Sequence, residues 1–187
     1  MAGATPRERL LDAVVDVALA DGIADKSLRA IAAAAGTSHR MLIHHFGSRE
    51  ELLVEVIGAV EARQRAILTE MATGPLPEQG LRFWEHLRGP DLAPQERLFF
   101  EVYGQALQGR RWAQPFLDGI VENWVSPVAA MLEAEGASPA VARALARLTV
   151  ATGRGMLLDV LATGEEEEAD ASMRIFSEML RAYLASG

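Results

Sequence analysis

The chain has 187 residues, half of them apolar and none of them cysteine; this allows one ordinary domain plus a smaller one and rules out disulfides, thiol nucleophiles and cysteine-bound zinc. Ala, Leu, Arg and Glu dominate while β-branched and aromatic residues are sparse, a mixture that predicts an all-α fold and argues against global disorder. The formal net charge of −8 weighs against nucleic acid for the chain as a whole, and the absence of a membrane span or signal peptide predicts a soluble, cytoplasmic protein with no membrane partner.

The first helix is well marked. Thr5-Pro6-Arg7-Glu8 offers a capping hydroxyl, a proline at the first helical position and a glutamate three residues after the cap. Leu10, Leu11, Val14, Val15, Ala18 and Leu19 form one apolar face, and Gly22 ends the helix. A short helix follows from the Ser27 cap, with Leu28 and Ile31 facing inward. Gly36 supplies a tight turn, and Thr37 or Ser38 caps a third helix from about His39 to Phe46. Ser48-Arg49-Glu50-Glu51 opens a long helix through about Met71.

Further on, Gly74-Pro75 and Gly89-Pro90 bracket a helix of about Glu78 to Arg88, and another runs from about Pro94 to Gln108. One helix is predicted from Gln114 or Pro115 to Glu135, kinked or broken at Pro127. Ser138-Pro139 starts the next, to about Ala162, and the last spans about Glu167 to Ala185. The sum is nine helices, with no strand and no internal repeat.

Two short helices joined by a glycine turn make a helix-turn-helix, with the first helix as its apolar backing. Charge supports the assignment. Residues 1–50 carry six basic and six acidic groups, so the other 137 residues carry the whole −8. From Lys26 to Arg49 there are four basic residues (Lys26, Arg29, Arg40 and Arg49), no Asp or Glu, and three histidines. Such an acid-free island suits a phosphate-facing surface. A recognition helix needs a locked inner face, here Leu42 and Phe46, and polar groups outside, here Thr37, Ser38, His39, Arg40 and His44. The first-turn amides of the helices starting at Ser27 and Ser48 would suit phosphate oxygens. His39, His44 and His45 do not share one helix face, so neither a metal nor any other cofactor is expected.

The stretch from Arg9 to about Val56 resembles the DNA-binding domain of the TetR family. The resemblance rests on Ser27-Leu28-Arg29-x-Ile31-Ala32, Ala35-Gly36-Thr37-Ser38, Leu42, His45-Phe46 and Ser48-Arg49-Glu50-Glu51-Leu52-Leu53. It implies backbone contacts from Ser27, Thr37, Ser38, His45 and Arg49, and base-facing positions at His39, Arg40, Met41 and His44. Ile43 stands where the family usually has a tyrosine, and His39-Arg40-Met41 replaces a Lys-Gly-Thr-like triplet.

Most aromatic residues fall between positions 83 and 124. An ordinary core would explain many of them. The resemblance instead implies an inducer cavity in this region, and on that reading Trp84, Phe100, Tyr103, Trp112, Phe116, Trp124 and Met156 are the expected ligand contacts. Tyr103, Gln105, Gln108, Asn123 and Arg154 are the candidate polar ones. Leu145, Leu148, Thr149, Thr152, Gly153, Met156 and Leu157 form one face of the penultimate helix, and Met173, Phe176, Met179, Leu180 and Tyr183 a matching face of the last. Two such helices from each chain would make a homodimer, as reading a two-fold operator demands.

The expectation is therefore a non-enzymatic transcriptional regulator. Residues 1–50 form the helix-turn-helix DNA-binding domain, and 51–187 the helical effector-binding and dimerisation domain. Its partners are operator DNA, a small-molecule effector and a second copy. The resemblance implies a repressor released from a palindromic operator by an apolar or aromatic ligand. No nucleophile, acid–base pair or metal set converges anywhere to suggest catalysis.

Overall fold

The protein is described by a computed structural model, which covers residues 4–23, 25–72, 74, 76–89 and 92–185. Among these residues there are nine α-helices and no strand: α1 (Pro6–Asp21), α2 (Leu28–Ala34), α3 (His39–Phe46), α4 (Arg49–Glu70), α5 (Leu76–Leu87), α6 (Ala93–Leu107), α7 (Glu122–Ala134), α8 (Pro139–Thr163) and α9 (Glu166–Ala185). A single 3₁₀ turn, Gln114–Leu117, stands between α6 and α7. The expected breaks at Pro75 and Pro90 lie outside the described residues. Among the described residues, no helix is long and apolar enough to cross a membrane.

Local chemistry sets the helix starts. Thr5 forms a full capping box with Glu8, Ser27 Oγ accepts from the Ala30 amide, and Ser38 Oγ accepts from the Met41 amide. The α2–α3 turn is a Schellman closure: Thr37 N–H donates to the Ala32 carbonyl and Gly36 N–H to that of Ala33. Gly36 sits at φ +66° with open space around it, so only the left-handed backbone resists a side chain. Gly36→Ala is expected to lower stability by about 1–2 kcal/mol, read as a shift in the urea midpoint.

The chain forms two compact units, Met1–Arg63 with Pro90–Asp118 and Gln64–Gly89 with Gly119–Gly187. Packing thus groups residues differently from the functional division expected at residue 50. In the first unit, Val14, Val15, Ile31, Leu42, Leu52, Leu53, Val56 and Ile57 are buried completely or nearly so. Burying such aliphatic side chains contributes about 1.5–3 kcal/mol each, an upper bound that chain entropy opposes. Arg63 on α4 forks across Asp12 and Asp16 of α1 at 3.2 and 3.1 Å. The Gln95 amide of α6 donates to the Leu19 carbonyl at 3.1 Å.

In the second unit, α7 packs along α8 and α5 along α9. Ala142 and Ala146 are fully buried on α8, and side chains this small let α7 approach closely. Phe83, Trp124, Val125, Val128 and Leu132 fill the space. Polar contacts join α5 and its C-terminal end to α9. Trp84 Nε1 donates to Asp170 at 2.7 Å, Arg88 pairs with Asp170 at 2.9 Å, and Arg181 pairs with Glu78 at 2.6 Å. Arg154, unexplained by sequence, donates to the Ile120 carbonyl at 2.6 Å and so ties α8 to the lead-in of α7.

The expected helix from Gln114 to Glu135 is two elements. The break falls at 118–121, where Gly119 has φ +73° and its carbonyl accepts the Asn123 amide at 2.8 Å, and not at Pro127. Pro127 lies inside α7. It deletes one ladder bond, but the burial of Trp124, Val125, Val128 and Leu132 on either side holds the helix together.

Glu122, at the start of α7, accepts both Arg143 nitrogens at 2.9 and 2.7 Å and the Ser126 hydroxyl at 2.6 Å. Hydrogen bonding from Arg143, then from Ser126, lowers its pKa from the ordinary 4.5 to about 2. A depressed carboxylate stabilises the fold above pH 4.5, and that contribution disappears as the pH falls toward 2. Side-chain carboxyl NMR is expected to show this low titration, and Arg143→Ala to return it toward the ordinary value.

Candidate DNA-recognition interface

Helix α3 is eight residues long and is held by its inner face. Leu42 is fully buried and Phe46 nearly so, while His39, Arg40, Met41, Ile43 and His44 are exposed. With 100° per residue, the outward direction opposite Leu42 and Phe46 falls on His44, with Arg40 and Met41 beside it. Ile43 lies on one flank and half-buried His45 on the other. The residues expected to face bases thus share the accessible side of one helix, apart from His39 at its first position.

The residues expected at the DNA backbone are placed less uniformly. Ser27 and Ser38 are exposed, but both hydroxyls accept the amides of the helices they start. Ser48 Oγ likewise accepts the Glu51 amide at 3.0 Å and donates to the Glu51 carboxylate at 3.1 Å. Thr37 is half-buried in the turn. Arg49 points back into its own unit, with Nε donating to the Lys26 carbonyl at 2.8 Å and a terminal nitrogen reaching the Ile23 carbonyl at 3.5 Å. It clasps the α1–α2 connection. Arg49→Ala is expected to destabilise the fold by about 1.5–3 kcal/mol in urea melts, since hydrogen bonds from a charged donor are among the stronger ones. Arg49 is partly exposed, so the lower end applies.

Sequence reading missed Arg7. On α1, its guanidinium lies 5.1 Å from the Phe46 ring centroid, donates to the His45 carbonyl at 3.3 Å and pairs with Glu55. It thereby fixes the C-terminal end of α3. Nothing in the local pattern marks it, because its partners are 38 to 48 positions away.

The expected ligand residues fall in both compact units. Phe100, Tyr103 and Phe116 gather around Phe99 in the first: Phe99 meets Phe100 at 5.1 Å, Tyr103 at 5.6 Å and Phe116 at 5.5 Å between centroids. Trp112 is half-buried in the same unit. In the second, Trp124 lies 5.7 Å from Phe83 and beneath Arg65, Trp84 is held by Asp170, and Met156 is half-buried on α8. Phe99, absent from the expected ligand contacts, is the hub of the first group, and Phe83, also absent, pairs with Trp124 in the second.

Comparison with known proteins agrees with this architecture. The family model for bacterial regulatory proteins of the tetR family matches residues 10–56. No curated protein sequence matches the chain. Among solved structures, a transcriptional regulator from Rhodococcus sp. Rha1 is 23% identical with a TM-score of 0.72, covering 94% of this chain and 95% of its own. A TetR transcriptional regulator from Legionella pneumophila is 20% identical with a TM-score of 0.66, over 96% and 99%. These two show the fold. The multidrug binding protein EbrR, solved in complex with imidazole, is 31% identical over 90% of this chain and 89% of that one, with a TM-score of 0.58. Matched in its helix-turn-helix and similar along most of its length to such regulators, the chain belongs to the TetR family of bacterial regulatory proteins and is a DNA-binding transcriptional regulator.

Proposed function

We propose that the protein is a homodimeric repressor that leaves a palindromic operator when a small apolar or aromatic ligand binds. The observation that carries the DNA half of this reading is the outer face of α3. Arg40, Met41 and His44 stand exposed on a helix locked by Leu42 and Phe46, within an acid-free stretch. His39, Arg40, Met41 and His44 are assigned to the bases, and Ile43 to the flank of the same surface. Ser27, Thr37, Ser38, His45 and Ser48 are assigned to the backbone, where helix-start amides add their dipoles. Arg49 enters this reading as the clasp behind that surface.

Residues 1–50 take the DNA-binding role and 51–187 the effector and dimer roles. Exposed apolar side chains on the last two helices support a second copy there: Leu148 and Leu158 on α8, and Ile175, Met179 and Tyr183 on α9. Leu157, Met173 and Leu180, which were expected on that face, are buried within the chain, so the proposed contact is turned toward Leu158 and Ile175. Similarity to EbrR, a multidrug binding protein, supports an apolar or aromatic effector. Phe100, Tyr103, Trp112 and Phe116 are the proposed contacts within the first unit, and Trp84, Trp124 and Met156 those within the second. A ligand that prefers the form with altered recognition-helix spacing would release DNA by population shift.

The test is selection of genomic fragments with the purified protein, followed by gel shift of the enriched site at increasing salt. A palindromic site bound by a dimer is expected. If no fragment is enriched at low salt with the protein folded, the reading fails, and a helical interaction protein that has kept the fold replaces it.

A further inference from the structure

The recognition helix carries an apolar component that its role as a polar reader does not explain. Eight large apolar side chains are exposed among the described residues. Five lie on α8 and α9, where a second copy is proposed, and Leu107 stands near the end of α6. The other two, Met41 at 42% exposure and Ile43 at 40%, both belong to the eight-residue α3.

Their directions differ. Taking the line opposite Leu42 and Phe46 as outward, Met41 lies about 60° from it and Ile43 about 100°, on opposite sides. Met41 is therefore beside Arg40 and His44 on the outer surface of the helix, whereas Ile43 stands on its flank. The Met41 amide is held by the Ser38 cap at 3.2 Å, so its side chain departs from an anchored first turn. Base edges in the major groove offer one apolar group, the thymine 5-methyl. A long, unbranched thioether adapts readily to such a small target.

We infer that Met41 selects thymine at one position of each half-site by packing against its 5-methyl group, while Arg40 and His44 make the polar contacts beside it. This rests on the DNA-binding reading above. Ile43 packs against sugar and contributes equally at every sequence.

The experiment uses the full chain and a synthetic duplex of the selected operator in which each thymine in turn is replaced by deoxyuridine. That change removes the methyl group and leaves base pairing intact. Wild-type protein is expected to lose about fourfold in affinity at one thymine per half-site, the value of one buried methyl. Met41→Ala is expected to bind the thymine and uracil duplexes equally at that position, and Ile43→Ala to keep the fourfold difference. Circular dichroism would confirm that both variants are folded. If wild type binds every uracil duplex as tightly as the parent, or if Met41→Ala retains the difference, the methyl contact is overturned while the regulator stands. If no unmodified fragment is bound at all, the regulator reading falls and this inference falls with it.

Discussion

Alanine at both Arg40 and His44 is expected to weaken operator binding by about 3 kcal/mol, more than a hundredfold, without changing the thermal melt. Each good base contact in a major groove contributes about 1–3 kcal/mol of discrimination. Both side chains are exposed, with His44 edge-on to the His45 ring at 4.9 Å between centroids, and substitutions at such surface positions usually change stability by less than about 0.5 kcal/mol. Fluorescence anisotropy across a salt series separates the kinds of contact. If Arg40→Ala lowers the salt slope by about one and weakens all sequences alike, Arg40 holds phosphate; if it relaxes preference at one base pair, Arg40 reads that base. Unchanged operator affinity in the double variant would remove α3 from the interface altogether.

Trp84→Ala is expected to cost about 3–5 kcal/mol, the largest single stability loss proposed for the chain. Trp84 is almost wholly buried between α5 and α9, and its Nε1–H donates to Asp170. Truncation empties a large volume and leaves Asp170 to Arg88 alone. Trp84→Phe keeps most of the volume and removes the hydrogen bond, so its cost should be nearer 1–2 kcal/mol. Urea unfolding followed by circular dichroism at fixed protein concentration measures both, since dimerisation would otherwise shift the midpoint. Equal costs for the two variants would mean that the hydrogen bond, and not the packing, holds α5 to α9.

Helix ends were legible wherever a cap acts within three or four residues. Thr5, Ser27, Ser38 and Gly36 each do in the structure what their spacing implies. The α7 break was misplaced because Pro127 is a conspicuous local signal, whereas Gly119 acts through a positive φ that only the folded turn demands. The recognition helix was legible because its inner and outer faces alternate within eight residues. Arg7 and the inward turn of Arg49 were not, since both depend on carbonyls brought near by folding. The central place of Phe99 and the pairing of Phe83 with Trp124 were not legible for a related reason. Composition located the aromatic region, but only packing decides which ring its neighbours surround.

The division into two compact units also gives the protein a built-in pair of optical reporters. Of its three tryptophans, Trp112 belongs to the first unit, and Trp84 and Trp124 to the second. A Trp84→Phe, Trp124→Phe chain would emit from the first unit alone, and a Trp112→Phe chain from the second alone. Emission from the two chains then tells whether operator DNA and an effector are sensed in one part of the molecule or in both.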